Sequence, residues 1–148
     1  MSEILNYYEN IFDEENQQRI VYFCERAIRR AKDFGYDFKY ESKDIIEMER
    51  ILEDLFLAKE RENLDDDFLW RWSWVFGSYL GETIIRNSEK GHKWTVVKNS
   101  KYESLNSDVP VLISKDNWIA TPIDKVYKRL LNGEEDNIEM FYKDVLMH

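Results

Sequence analysis

Tyr79, Glu82, Arg86 and His92 are the residues whose types and spacing could support chemistry. Glu82 and Arg86 stand four apart, in the Glu-then-Arg order that favours an ion pair on a helix. On a buried helix that carboxylate must find a partner, because an unpaired buried charge costs several kcal/mol. In one outcome Glu82 accepts from Arg86, or from backbone N–H groups of a sheet, and locks helix to sheet. In the other, all four residues surround a cleft at the C-terminal end of the helix. Glu82 would then be a general base of raised pKa in a small-ligand or hydrolytic site. Nothing in the spacing demands the cleft.

Other chemistry is sparse. His92 and His148 are the only histidines, and Cys24 the only cysteine, so a zinc site cannot be assembled from them without carboxylates. A lone cysteine forms no internal disulfide, and Cys24 falls on an apolar helix face as a small core residue. No phosphate loop or dinucleotide fingerprint occurs. Ser78, in Phe76-Gly77-Ser78-Tyr79-Leu80, lacks the flanking glycine pair of a nucleophile elbow and reads as a packing residue. No catalytic residue, metal or cofactor is therefore assigned.

Charge points instead to recognition. Residues 1–67 carry 19 acidic and 10 basic side chains, and residues 68–148 carry 11 of each, so the whole net charge of −9 belongs to the first part. A nucleic-acid partner is unexpected, since phosphate contacts need a basic surface. A basic protein partner would be steered by such a field. Glu47, Glu49, Glu53 and Asp54, largely on the outside of one predicted helix, are the candidate recognition face. The bland alternative is an acidic surface that keeps the chain dissolved. Arg26, Arg29, Arg30 and Lys32 form a local basic island, read as a solvated face.

The element that must position these groups is Phe68–Arg86, FLWRWSWVFGSYLGETIIR. Leu69, Trp72, Phe76, Leu80 and Ile84 form one apolar stripe at helical spacing, and Trp70, Trp74, Gly77, Gly81 and Ile85 a second. A helix apolar on two faces belongs in the middle of the fold. Gly77 and Gly81 each cost about 1 kcal/mol of helix propensity against Ala, which makes sense if another element packs on the backbone there. A strand would also explain the alternation of Trp70, Trp72 and Trp74. Asp65, Asp66 and Asp67 favour the helix, because they cap its free N–H groups and match its dipole. They lack the Asp/Asn–Gly alternation of a calcium loop. Three tryptophans in five residues cannot share one face, so Trp72 or Trp74 is expected to be partly exposed and could anchor a partner.

Elsewhere the pattern predicts an α+β chain. Ser2 caps a short helix with Phe12 or Ile11 inward. Asp13 opens a second helix that ends near Gly35 and buries Ile20, Phe23, Cys24, Ala27, Ile28 and Ala31. Ser42 caps a third helix to about Arg61. After the central helix, Trp94–Lys98, Tyr102–Leu105, Val109–Ile113 and Trp118–Ala120 read as short strands with short turns, hence an antiparallel meander. Thr121-Pro122 starts a helix with Val126 and Leu130 inward, ended by Gly133. Asp136 and Glu139 have capping-box spacing for a last helix, Asn137–Leu146. With 148 residues and 43% hydrophobic content, a single packed domain over residues 1–148 is expected, burying roughly two-thirds of its unfolded surface. The N-terminus has no basic segment followed by an apolar run, and Arg71, Glu82 and Arg86 interrupt the central stretch. Neither a secretory signal nor a membrane span is expected, and the cytoplasm is the default compartment.

The block Tyr79-Leu80-Gly81-Glu82, then Arg86-Asn87 and Trp94, resembles a motif of small bacterial domains of unknown function. The tail Pro122, Val126, Lys128-Arg129-Leu130, Gly133, Asp136, Ile138 and Phe141-Tyr142 is similar to the ending of the same families. The resemblance covers roughly residues 68–146. It implies a helix turning into a short sheet, and no assigned activity. Some resembling members look like immunity proteins encoded beside secreted toxins, which implies a non-enzymatic, partner-binding role. Oligomeric state is left open.

Overall fold

The computed structural model describes residues 12–97 and 108–148. The stretch that the sequence makes central is a helix throughout. α1 (Glu14–Asp33), α2 (Ser42–Glu62) and α3 (Asp66–Asn87) lead into strands β1 (Lys93–Thr95), β2 (Val111–Ile113) and β3 (Ile119–Ala120). α4 (Pro122–Asn132), a short 3-10 turn (Glu134–Asp136) and α5 (Ile138–Leu146) complete an α+β order. The strands form an antiparallel sheet in the order β1-β2-β3, with Trp94 opposite Leu112 and Leu112 opposite Ala120. The first predicted helix, from Ser2, and the Tyr102–Leu105 strand lie outside the described residues.

α3 packs chiefly against α4 and α1. Its N-cap is Asp65, whose carboxylate accepts from Phe68 N at 3.2 Å. Both glycines are notches. A Cβ on Gly77 would stand 2.5 Å from Ile123 Cα of α4, and one on Gly81 would stand 2.2 Å from the Trp94 ring. The sheet and α4 thus close onto α3 backbone that carries no side chain. Val75, Phe76, Tyr79, Leu80 and Ile84 of α3 are buried there with Ile20, Met48, Leu52, Leu112 and Val126.

Two caps differ from expectation. Glu41, not Ser42, is the N-cap of α2, and Ser42 Oγ instead meets the Tyr142 hydroxyl at 2.6 Å. Asn137, not Asp136, caps α5, accepting from Glu139 N and Met140 N. Asp136 sits in the 3-10 turn and takes Lys125 Nζ at 3.1 Å and Asn132 Nδ2 at 2.9 Å. Trp118 falls just before β3, not in the strand predicted to start with it, and is 56% exposed, stacked at 4.2 Å on His148. Trp70, Trp72 and Trp74 are each half-buried, so the partial exposure expected of Trp72 or Trp74 is present at both. Trp118, directly after Asn117 (φ 67°), is more exposed still.

Candidate functional site

Glu82 does tie helix to sheet, through a side chain and not the sheet backbone. Trp94 Nε1 donates to Glu82 Oε2 at 2.8 Å, while Arg86 Nη2 stands 3.9 Å from Oε1. Arg86 lies over the Tyr40 ring at 3.6 Å, and Tyr40 in turn stacks on Tyr79. An indole donor and a nearby guanidinium give this carboxylate the partners its burial demands.

The Tyr79 hydroxyl is occupied. It donates to Asp44 Oδ2 at 2.6 Å and accepts from Tyr40 N at 2.7 Å. Asp44, a fully buried side chain that the sequence reading passed over, also accepts from Lys39 N at 2.8 Å and Glu41 N at 3.0 Å, with Lys43 Nζ at 3.3 Å. Burial alone would raise its pKa. The Tyr79 hydroxyl, the Glu41 and Lys39 amides and Lys43 outweigh that and hold the carboxyl below its usual range. The same burial, with the Asp44 contact, pushes the Tyr79 phenol well above its ordinary value. This network staples the α1–α2 connection to α3.

His92 faces elsewhere. Its Nδ1 meets Ser88 Oγ at 2.6 Å, and burial pushes its pKa down. With Trp118, Phe141 and His148 it lines a cavity of about 180 Å³ between the sheet and α5. Tyr79, Glu82, Arg86 and His92 therefore do not share one cleft: Tyr79 is sealed in the core, and His92 opens onto a different depression.

The acidic face of α2 divides. Asp54 is exposed, and Glu47 stands 3.8 Å from Lys43. Glu49 and Glu53 instead grip Arg129 of α4, whose side chain is only 2% exposed. Arg129 Nε reaches both Glu49 oxygens at 3.1 Å, and its Nη2 reaches Glu53 at 2.7 Å. Glu49 also accepts from Ile138 N at 2.7 Å, at the start of α5. The expectation that all four acids lie largely outside is corrected at Glu49, 13% exposed, and at Glu47, 24% exposed, whereas Glu53 stays 43% exposed while it reaches Arg129. Glu49 and Glu53 together neutralise a buried cation, and Glu49 also supplies an acceptor for a helix-start N–H. Arg129 was missed, although its place three residues after Val126 puts it on the inward stripe of α4. Two acids four apart on α2 match its fork.

Above this clamp lies an open trough of about 430 Å³ lined by Ile46, Arg50, Asp54, Glu134 and Glu139 together with the clamp itself. Arg129 Nη1 is buried and has no hydrogen-bond partner. Among the described residues no group of three or more His, Cys, Asp or Glu side chains is placed to hold a metal ion. Nor, among them, is any helix long and apolar enough to cross a membrane.

By class the chain is an α+β protein built around a glycine-notched helix. Comparison with protein-family models, curated proteins and solved structures returns no match.

Proposed function

We propose that this chain is a non-enzymatic binding protein that receives a basic segment of a protein partner in the trough between α2 and α5. The observation that carries the reading is the charge of that trough. Glu49, Glu53, Asp54, Glu134 and Glu139 outnumber Arg50 and Arg129, and Arg129 keeps one buried donor without an acceptor. A peptide with lysine or arginine side chains complements that charge. The half-exposed Ile46 adds an apolar contact beside the charges. An immunity-type inhibitor acting on a basic toxin is the specific form that the family resemblance suggests, and a cytoplasmic location would accompany it. The alternative of a ligand or hydrolytic site at Glu82, Arg86 and His92 draws less support from the geometry, since Glu82 pairs with Trp94 and Arg86 while His92 lines a different depression.

The test uses a lysine- and arginine-rich peptide library and the full chain. Binders are expected to lose affinity about tenfold or more in Asp54→Lys/Glu134→Lys, with the loss falling mainly on association rate and growing at low salt. Binding that survives this reversal unchanged, or the absence of any salt-sensitive binder, contradicts the proposal. Glu49 and Glu53 are left intact in the test because they hold the fold.

A further inference from the structure

The basic island of α1 has a shape that its sequence does not convey. Arg26, Arg29, Arg30 and Asp33 recur at i, i+3, i+4 and i+7, so they share one face of the helix. Trp72 of α3 forms the opposite wall, and together they enclose a depression of about 250 Å³. Arg30 is held in place. Its guanidinium lies 5.5 Å from the centres of both the Phe34 and Trp72 rings, and its Nη1 donates to Asp33 at 3.2 Å. Its Nε is buried without an acceptor. Among the described residues Arg26 donates only to the neutral Tyr22 hydroxyl, at 3.2 Å. Arg29 is exposed and has no carboxylate partner among the described residues.

From this we infer that the depression is a binding site for the phosphoryl group of a small phosphorylated molecule. Three guanidinium groups against one carboxylate leave a local charge of about +2, which matches the roughly −1.5 to −2 of a phosphate monoester near neutral pH. Guanidinium forks suit tetrahedral oxyanions, which accept two N–H bonds from one Arg at once. The rings and Asp33 fix Arg30 before anything binds, so little side-chain freedom is lost on binding. The site is independent of the acidic trough, and the failure of either leaves the other standing.

The experiment titrates the full chain with inorganic pyrophosphate while following the Arg Nε–Hε resonances by NMR, with sodium chloride at matched ionic strength as the control. A saturable shift of the Arg30 Nε–Hε signal is expected, absent with chloride. In Arg26→Gln/Arg29→Gln the dissociation constant should rise by about tenfold or more. Both positions lie at the surface of α1, so the thermal midpoint of that variant should match the parent, and its resonances report folding directly. A shift that never saturates, one that chloride reproduces, or one equally strong in Arg26→Gln/Arg29→Gln overturns the proposal.

Discussion

Arg129 and Arg30 both sit on helices beside acidic side chains, yet their surroundings give them opposite roles. Arg129 is 2% exposed and held by two carboxylates from another helix, whereas Arg30 is 39% exposed and has one carboxylate from its own helix and two aromatic faces. In the first case the low-dielectric surroundings make each contact strong, and removing one partner strands a charge. In the second, water screens the pair and leaves it nearly neutral for stability. The same side chain is thus a fastener in one place and an available donor in the other. Burial of the partners decides which.

The comparison can be broken most forcefully at Arg129. Arg129→Leu should cost about 3 kcal/mol in urea unfolding, because it leaves the largely covered Glu49 carboxylate without its cation. Adding Glu49→Gln should recover part of that loss, which a double-mutant cycle would register as coupling. Next in size come the glycine notches. Gly77→Ala should destabilise by about 1–3 kcal/mol even though Ala gains about 1 kcal/mol in helix propensity, because the obstructing atom is backbone of α4 and cannot rotate away.

Tyr79→Phe should cost about 1–3 kcal/mol by removing the donor to Asp44 and the acceptor of Tyr40 N. Its pH signature follows from Asp44, whose folded pKa lies below the unfolded 3.8. The stabilisation from ionised Asp44 is present above that value and disappears as pH falls through the folded one. The parent should therefore keep its fold to lower pH than Tyr79→Phe, as circular dichroism can follow. Cys24 gives a smaller effect at the other limb. Burial, reinforced by Glu82, pushes its thiol from 9.0 to about 12. Stability should be full below pH 9 and decline as pH rises toward 12, and a thiol reagent at pH 8 should react with the folded chain only as fast as it opens.

Much of the fold was legible because its signals are local. Asp65 before an apolar helix, glycines one turn apart on it, and Pro122 after Thr121 each state their structural reason within a few residues. The described strands were readable as a meander, although β2 and β3 start later than expected and β1 one residue earlier. What escaped was long-range. Asp44 reads as one more acid in an acidic helix until Tyr79, 35 residues later, meets it. Glu49 looks solvated until Arg129, in a distant helix, turns inward to it. Trp118 was placed by strand propensity, but the left-handed Asn117 beside it redirects the ring to solvent. Tyr79, Glu82, Arg86 and His92 were grouped by nearness in sequence. A helix end followed by a turn pointed His92 toward α5 instead.

The claim that the acidic face of α2 is divided between fold and surface rests on two positions five residues apart. Urea unfolding of Glu49→Gln and Asp54→Asn in parallel tests it most directly. Glu49→Gln should lose about 2 kcal/mol or more, since it weakens the buried clamp, while Asp54→Asn should stay within about 0.5 kcal/mol of the parent. Equal changes at the two positions would contradict the division.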